Sequence, residues 1–148
     1  MDSSKYDCLK LENQLCFPLY VCSKEIIKRY KPFLSELDLT YTQYLTMMVL
    51  WEKKKMNVKE LGEYLFLDSG TLTPVLKKLE SKSYITRTRM QQDERNVLIE
   101  ITNAGEELKE KALSIPSKMA SCVHLENEEA ATLYTLLHKV LNQFNTCK

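Results

Sequence analysis

Asp68-Ser69-Gly70-Thr71-Leu72-Thr73-Pro74-Val75-Leu76-Lys77-Lys78-Leu79, followed by Ile85 to Met90, Gln91-Gln92-Asp93-Glu94-Arg95 and Asn96 to Ile101, is the stretch that decides the fold. Its first part crowds short hydrogen-bonding side chains, Asp68, Ser69, Thr71 and Thr73, at the N-terminal end of a helix. That is the end which recognition helices push into the major groove. Leu72, Val75, Leu76 and Leu79 supply an apolar stripe to hold the helix on its domain, and Lys77, Lys78 and Lys82 supply charge for phosphates. The helix should yield at Ser81 to Ser83. Two short strands follow, Ile85 to Met90 and Asn96 to Ile101, with Arg87 on the first and a polar loop carrying Asp93 and Arg95 between them. A helix followed by such a hairpin reads as a winged helix-turn-helix.

Working outward, the 148 residues are most simply one domain, with enough apolar side chains to bury a core. The longest apolar run, Tyr44 to Trp51, is too short to cross a bilayer, and Met1-Asp2-Ser3-Ser4-Lys5 lacks a secretory pattern, so the expected location is the cytoplasm, without membrane partners. A net charge of +1 hides a lopsided distribution. Residues 53–95 hold ten Lys/Arg against six Asp/Glu, whereas residues 1–52 and 96–148 are both net negative. A solvated face alone would explain such counts; joined to the helix and hairpin, they point to double-stranded DNA.

Five cysteines without a CxxC pair argue against a secreted disulfide framework. Cys122 and His124 lie close, yet no second pair completes a zinc site, and neither a metal nor a cofactor is expected.

Elsewhere the periodicity is helical. Leu9 to about Leu37 carries Leu15, Leu19, Ile26, Ile27, Tyr30 and Leu34 at helical steps, and Pro18 requires a start just before it or a bend. Thr40 or Thr42 should cap a buried helix from Tyr44 to about Glu52, and Asn57 a short one from Val58 to Leu65 with Leu61 and Leu65 inward. Pro74 favours a regular fourth helix beginning nearer Thr71, with Asp68 to Gly70 as a flexible lead-in. Thr102 should cap a long helix to about Ala120, and Asn127 should open a last one to about Phe144 striped by Leu133, Leu137, Val140, Leu141 and Phe144. This gives a mainly α chain with a β-hairpin wing: residues 41–101 form the reading head, and residues 1–40 and 102–148 the dimerisation helices. Terminal helices with nothing of their own to pack on call for a homodimer, which also sets two recognition helices about 34 Å apart, one DNA turn.

If Pro18 does not break the phase of the first helix, Cys16, Tyr20, Ser23, Ile27 and Tyr30 share one face, within about 80° of arc. A phenol can donate to a thiolate and favour it, and the thiolate is the form that attacks a peroxide. The residues alone leave two readings open, an apolar filler or a redox sensor.

Leu11-Glu12-Asn13-Gln14-Leu15-Cys16-Phe17, with Tyr20 and Tyr30, together with Leu67-Asp68-Ser69-Gly70-Thr71-Leu72-Thr73-Pro74 and Asp93-Glu94-Arg95, resembles the MarR family. Within it the chain is similar, from about Leu9 to Phe144, to the organic hydroperoxide sensing repressors and their staphylococcal thiol-switch relatives. The resemblance implies a homodimeric repressor, not an enzyme, whose peroxidatic Cys16 is hydrogen-bonded by Tyr20 and Tyr30. It implies Arg95 in the minor groove with Asp93 steadying the wing, and Ser69, Thr71 and Thr73 facing the major groove. Cys122 stands where two-cysteine members carry a resolving thiol, which implies a disulfide from Cys16 to Cys122 of the partner subunit and release from operator DNA on oxidation by peroxide. Two alternatives remain: a MarR-type repressor switched by a small aromatic ligand in the dimer crevice, and a thiol peroxidase. Cys22 lies off the sensor face, and Cys8 and Cys147 lie near the chain ends.

Overall fold

Short polar side chains decide where the helices begin. The computed structural model describes residues 3–146; Met1, Asp2, Cys147 and Lys148 lie outside the described residues. Two 3₁₀ turns, Ser3–Leu9 and Leu11–Asn13, precede α1, Cys16–Ser35. The side-chain amides of Asn13 and Gln14 hold those turns by donating to the carbonyls of Asp7, Cys8 and Lys10. The first helix therefore starts at Cys16 rather than Leu9. Pro18 falls in its first turn, where the missing amide has no intrahelical acceptor to lose. Pro32 lies inside the helix, and no sequence expectation covered it. Asp38, in the left-handed region at φ 52°, closes α1, and the Leu39 amide reaches back to the Leu34 carbonyl at 3.0 Å.

Thr40 opens α2, Tyr41–Lys53, with a full capping box. Its hydroxyl accepts from the Gln43 amide, and the Gln43 side chain accepts from the Thr40 amide. The helix buries Tyr44, Met47, Leu50 and Trp51, but Met48, expected inside, is 44% exposed. Asn57 caps α3, Val58–Leu65, as expected, with Leu61 fully buried and Leu65 half-buried. At the end of α3, Phe66 turns left-handed at φ 56° and the Leu67 amide returns to the Gly62 carbonyl.

The fourth helix corrects an expectation. α4 spans Ser69–Ser81, so Asp68 to Gly70 is not a lead-in; Asp68 is the N-cap, its carboxylate accepting from the Thr71 amide at 2.7 Å. Pro74 sits inside the helix. Its missing bond would have gone to the exposed Gly70 carbonyl, which water can satisfy, so the cap outweighs the proline. Leu72, Val75, Leu76 and Leu79 form the buried stripe as expected. Truncating Leu76 or Leu79 to alanine should cost about 2–5 kcal/mol.

Ser83, at φ 64°, ends α4 and feeds β2, Ile85–Met90. β3 is Asp93–Ile101, longer at its start than Asn96 to Ile101. A third strand, β1 Lys55–Asn57, pairs with the other edge of β3, making an antiparallel sheet in the order β1-β3-β2. Three residues of alternating pattern are too few to announce a strand from sequence; β1 exists because β3 offers it a ladder.

Thr102 caps α5, Asn103–Ala112. The single long helix expected there is two, α5 and α6, Ile115–Val123, broken at Leu113-Ser114 because Pro116 belongs in a first turn. α7 runs Asn127–Thr146. The chain divides into two compact units, one ending at Leu113 and the other beginning at Ser114. Among the described residues, no helix is long and apolar enough to cross a membrane.

Inside the first unit, the buried Trp51 indole donates to the Gly105 carbonyl at 2.9 Å, joining α2 to α5. A Cβ at Gly105 would stand 2.3 Å from the Tyr84 carbonyl oxygen and 2.8 Å from Ile101. Gly105→Ala should therefore force a backbone shift and cost about 1–3 kcal/mol. At Gly70 a Cβ would meet only the Asp68 carboxylate, at 3.2 Å, so Gly70→Ala needs that cap to give by a few tenths of an ångström and should be nearly neutral, the better helix propensity of alanine offsetting the crowding. Thermal melts of the two variants check the contrast.

Candidate functional site

Two sets of residues converge on possible chemistry, and they lie at different places in the chain. The first is the exposed start of α4 with the sheet tip. Ser69 and Thr71 are exposed, and Thr73 is half-buried with its hydroxyl donating to the Ser69 carbonyl at 2.7 Å. Thr71 also donates through its hydroxyl to Asp68, and its backbone amide is the main cause that holds the Asp68 carboxyl below the usual aspartate range. Lys77 and Lys78 are exposed and, among the described residues, carry no ion pair.

At the wing, geometry comes from a bulge. Arg89 pairs with Val97 but the next residue, Met90, pairs with Asp93, so residues 94–96 are extra on β3. Arg95 is carried in that bulge and is exposed. Asp93 accepts from the Arg95 amide at 3.0 Å, fixing the loop from which the guanidinium projects. Arg87 differs from the expectation of a free DNA contact: it is half-buried and its guanidinium is engaged by Glu80 on α4. Arg89, two positions on and exposed, was missed in the sequence. Strand alternation from buried Ile85 places it on the same face as Arg87, nearer the tip.

The second set surrounds the thiol. Cys16 is exposed at the start of α1, and among the described residues no hydrogen bond reaches its sulfur. Tyr20, one turn on, is exposed, and the Lys24 ammonium lies 4.9 Å from its ring centroid. Tyr30 is on the same helical face but fourteen residues away, which in one continuous helix is roughly 21 Å. Hydrogen bonding of Cys16 by Tyr30 of the same chain is therefore excluded. Tyr30 instead packs against Tyr41, at 4.8 Å between centroids, and Tyr44, at 5.9 Å. Burial pushes the phenols of Tyr30, Tyr41 and Tyr44 above their ordinary range, so each remains neutral and able to donate. Cys22 is exposed in α1, and Cys8 is exposed in the first 3₁₀ turn. Cys122, in the second unit, is half-buried near the end of α6.

α1 and α7 each carry unpartnered apolar surface. On α1, Leu15 is 77% exposed, and Phe17, Leu19, Ile26 and Ile27 are also open; on α7, so are Leu133, Leu136, Leu137, Val140 and Phe144. Contiguous apolar faces of this kind mark protein contacts.

The model of the family described as transcriptional regulator SarA/Rot matches residues 28–112. The chain is 49% identical over 146 residues to the organic hydroperoxide resistance transcriptional regulator of Bacillus subtilis, covering 96% of this chain and 99% of that protein. It is 46% identical over 133 residues to the HTH-type transcriptional regulator SarZ of Staphylococcus aureus, covering 90% of each. Among solved structures, reduced AbfR bound to DNA superposes with a TM-score of 0.75 at 33% identity, covering 95% of this chain and 98% of that one. The disulfide-formed AbfR superposes with a TM-score of 0.66 at 30% identity, covering 97% and 98%.

The cap at α4 carries a pH signature. Because the Asp68 carboxyl is depressed in the folded chain, its contribution is complete above the ordinary aspartate pKa and is lost as pH falls through the lower folded value. Thermal melts below about pH 4 should show the wild type losing part of its advantage over Asp68→Asn, whose amide oxygen caps at every pH.

Proposed function

The chain belongs to the SarA/Rot family of MarR-like winged-helix transcriptional regulators, and from that membership we propose that it is a homodimeric repressor whose grip on operator DNA is broken by oxidation of Cys16. It is a regulator and not an enzyme. The observation that carries the thiol part is the placement of Cys16 and Tyr20 at the exposed, apolar start of α1 together with Tyr30 on the same face. Support comes also from the hydroperoxide regulator at 49% identity and from the disulfide-formed AbfR.

The span between Cys16 and Tyr30 dictates how the sensor is assembled. A phenol from the same chain cannot reach the sulfur, whereas an antiparallel pairing of two α1 helices brings Tyr30 of the partner subunit toward Cys16. Residues 1–40 and 102–148 serve this dimer, and residues 41–101 read DNA. The apolar faces of α1 and α7 are what the dimer covers.

The chemistry balances in two steps. The Cys16 thiolate attacks the distal oxygen of a hydroperoxide, the O–O bond breaks, and the alcohol leaves with a proton while the sulfur becomes sulfenic acid. The thiol of Cys122 of the partner subunit then displaces water from that sulfenic acid, forming the disulfide.

At the operator, Ser69, Thr71 and Thr73 face the major groove, Lys77 and Lys78 contact phosphates, and Arg95 on its Asp93-fixed bulge enters the minor groove. Arg87 acts through its Glu80 pair, holding the wing to α4. Oxidation moves the two heads out of operator register, and a few ångströms suffice to remove several of the roughly 4–10 kcal/mol that separate specific from non-specific binding. The protein works in the cytoplasm. A small aromatic effector in the dimer crevice is the second reading, favoured by release with such a ligand and indifference to oxidants.

Electrophoretic mobility shift with operator DNA tests the switch. Binding by the wild type should be lost with cumene hydroperoxide and restored by dithiothreitol, while Cys16→Ser stays bound throughout; peroxide release of that variant contradicts the sensor. Cys122→Ser should give no crosslinked dimer on non-reducing gels. Arg95→Ala should weaken operator binding about tenfold and leave the thiol oxidation rate unchanged.

A further inference from the structure

Two hydrogen bonds fix which way the backbone of the wing faces. The Thr102 amide donates to the Tyr84 carbonyl at 3.1 Å, and these two residues continue the register that pairs Ile85 with Ile101. Antiparallel pairs alternate between bonded and unbonded, so Thr86 and Thr88 bond to β3, while Ile85, Arg87 and Arg89 turn their amides and carbonyls to the far side. The bond from the Ile101 amide to the Lys54 carbonyl agrees with this phase, because it directs the groups of Ile99 and Ile101 toward β1. β2 is an edge of the sheet, so its outward groups meet no fourth strand. A groove of about 330 Å³ lies where α4 ends and β2 begins, lined by Glu80, Ser83, Ile85, Thr86, Arg87 and Thr102.

The side chains on this edge choose among occupants. Ile85, Arg87 and Arg89 share one face of the strand. Arg87 is engaged by Glu80, whereas Arg89 is exposed and has no acidic partner among the described residues. A second copy of β2 laid antiparallel on the first would set arginines beside arginines, which disfavours self-pairing. A DNA phosphate would meet the outward carbonyls and the Glu80 carboxylate along with the arginine. An extended peptide satisfies amides and carbonyls alike, and one acidic side chain opposite Arg89 supplies the missing charge. We propose that β2 is a docking edge for an extended, acidic segment of a partner protein, added antiparallel as a fourth strand with a carboxylate opposite Arg89 and a small uncharged side chain opposite Arg87.

Position gives the edge a use. The groove lies at the C-terminal end of α4, whereas Ser69 and Thr71 stand at its N-terminal end. An occupant there leaves the reading end of the helix open. The edge therefore suits a partner that joins the regulator on its operator, a consequence that rests on the DNA contacts given above. Backbone bonds would give the contact its affinity and the arginine its selectivity. Strand addition itself lies within one chain and uses neither Cys16 nor the subunit interface.

Nuclear magnetic resonance of the full-length, reduced, isotope-labelled protein tests this with the peptide acetyl-Thr-Glu-Val-Thr-Val-Thr-amide. Saturable shifts are expected at Arg87 and Arg89. Their amides should exchange with solvent more slowly when peptide is present, while those of Thr86 and Thr88, already bonded to β3, stay unchanged. Arg89→Glu should weaken binding about fivefold, and replacing the peptide glutamate by lysine should restore it in that variant. Methylating the backbone nitrogen of the peptide glutamate should abolish binding, because that amide is the donor to the Arg89 carbonyl. No saturable shift at Arg87 and Arg89, or an affinity unchanged by Arg89→Glu, overturns the proposal. Slow exchange of those two amides without peptide also overturns it, by showing a second copy on the edge. So does loss of operator binding in Arg89→Glu when the wild type binds no peptide, which would assign the arginine to a phosphate. The titrations contain neither DNA nor peroxide, so their failure is distinct from failure of the operator or thiol readings.

Discussion

The constraint on which the proposed mechanism depends is the continuity of α1. One helix from Cys16 to Ser35 fixes the thiol and the Tyr30 phenol to a common face and keeps them roughly 21 Å apart. A sensor that uses both groups therefore has to be built from two chains. The same helix carries exposed leucines, isoleucines and aromatics that nothing in the single chain buries, and covering them is worth about 25 cal/mol per Å². In the proposed dimer, sensing and subunit pairing thus draw on one stretch of sequence.

From Tyr30 a contiguous path of packed rings leads into the reading head. Tyr30 lies against Tyr41 and Tyr44, Tyr44 meets Trp51 edge-on at 6.2 Å, and Trp51 donates to the Gly105 carbonyl on α5. α2, which carries three of these residues, also buries Met47 and Leu50 in the core shared with α4. Packed interiors do not deform smoothly, so a displaced Tyr30 has to be absorbed by repacking along this line. The path is a physical connection between the two ends of the proposed switch, and its energetic weight is what mutant cycles measure.

Much of this was legible in the residues because local rules and tertiary structure agree over most of the chain. Asn57, Thr102 and the α4 stripe behave as capping and periodicity require, and the first strand of the hairpin, Ile85 to Met90, was bounded correctly. Two of the failures concern prolines. Pro74 suggested a late start for α4, but the Asp68 cap wins and the proline is carried inside; Pro116 went unweighed and splits a helix read as one. β1 was invisible because its pairing partner lies more than forty residues away in the sequence. Periodicity placed Cys16, Tyr20 and Tyr30 on one face correctly, yet a shared face says nothing of distance along the axis. Arg87 looked like a free cation because its carboxylate, Glu80, sits on a different element.

The composite sensor is tested most directly by mixed dimers. A heterodimer of one Cys16→Ser chain and one Tyr30→Phe chain leaves a single Cys16, whose own chain lacks the Tyr30 hydroxyl and whose partner retains it. The rate of sulfenic acid formation at that cysteine, followed by a dimedone probe under limiting cumene hydroperoxide, should match the rate per thiol of the wild-type dimer and exceed that of the Tyr30→Phe homodimer. A rate equal to the Tyr30→Phe homodimer would contradict assembly of the sensor across the subunits.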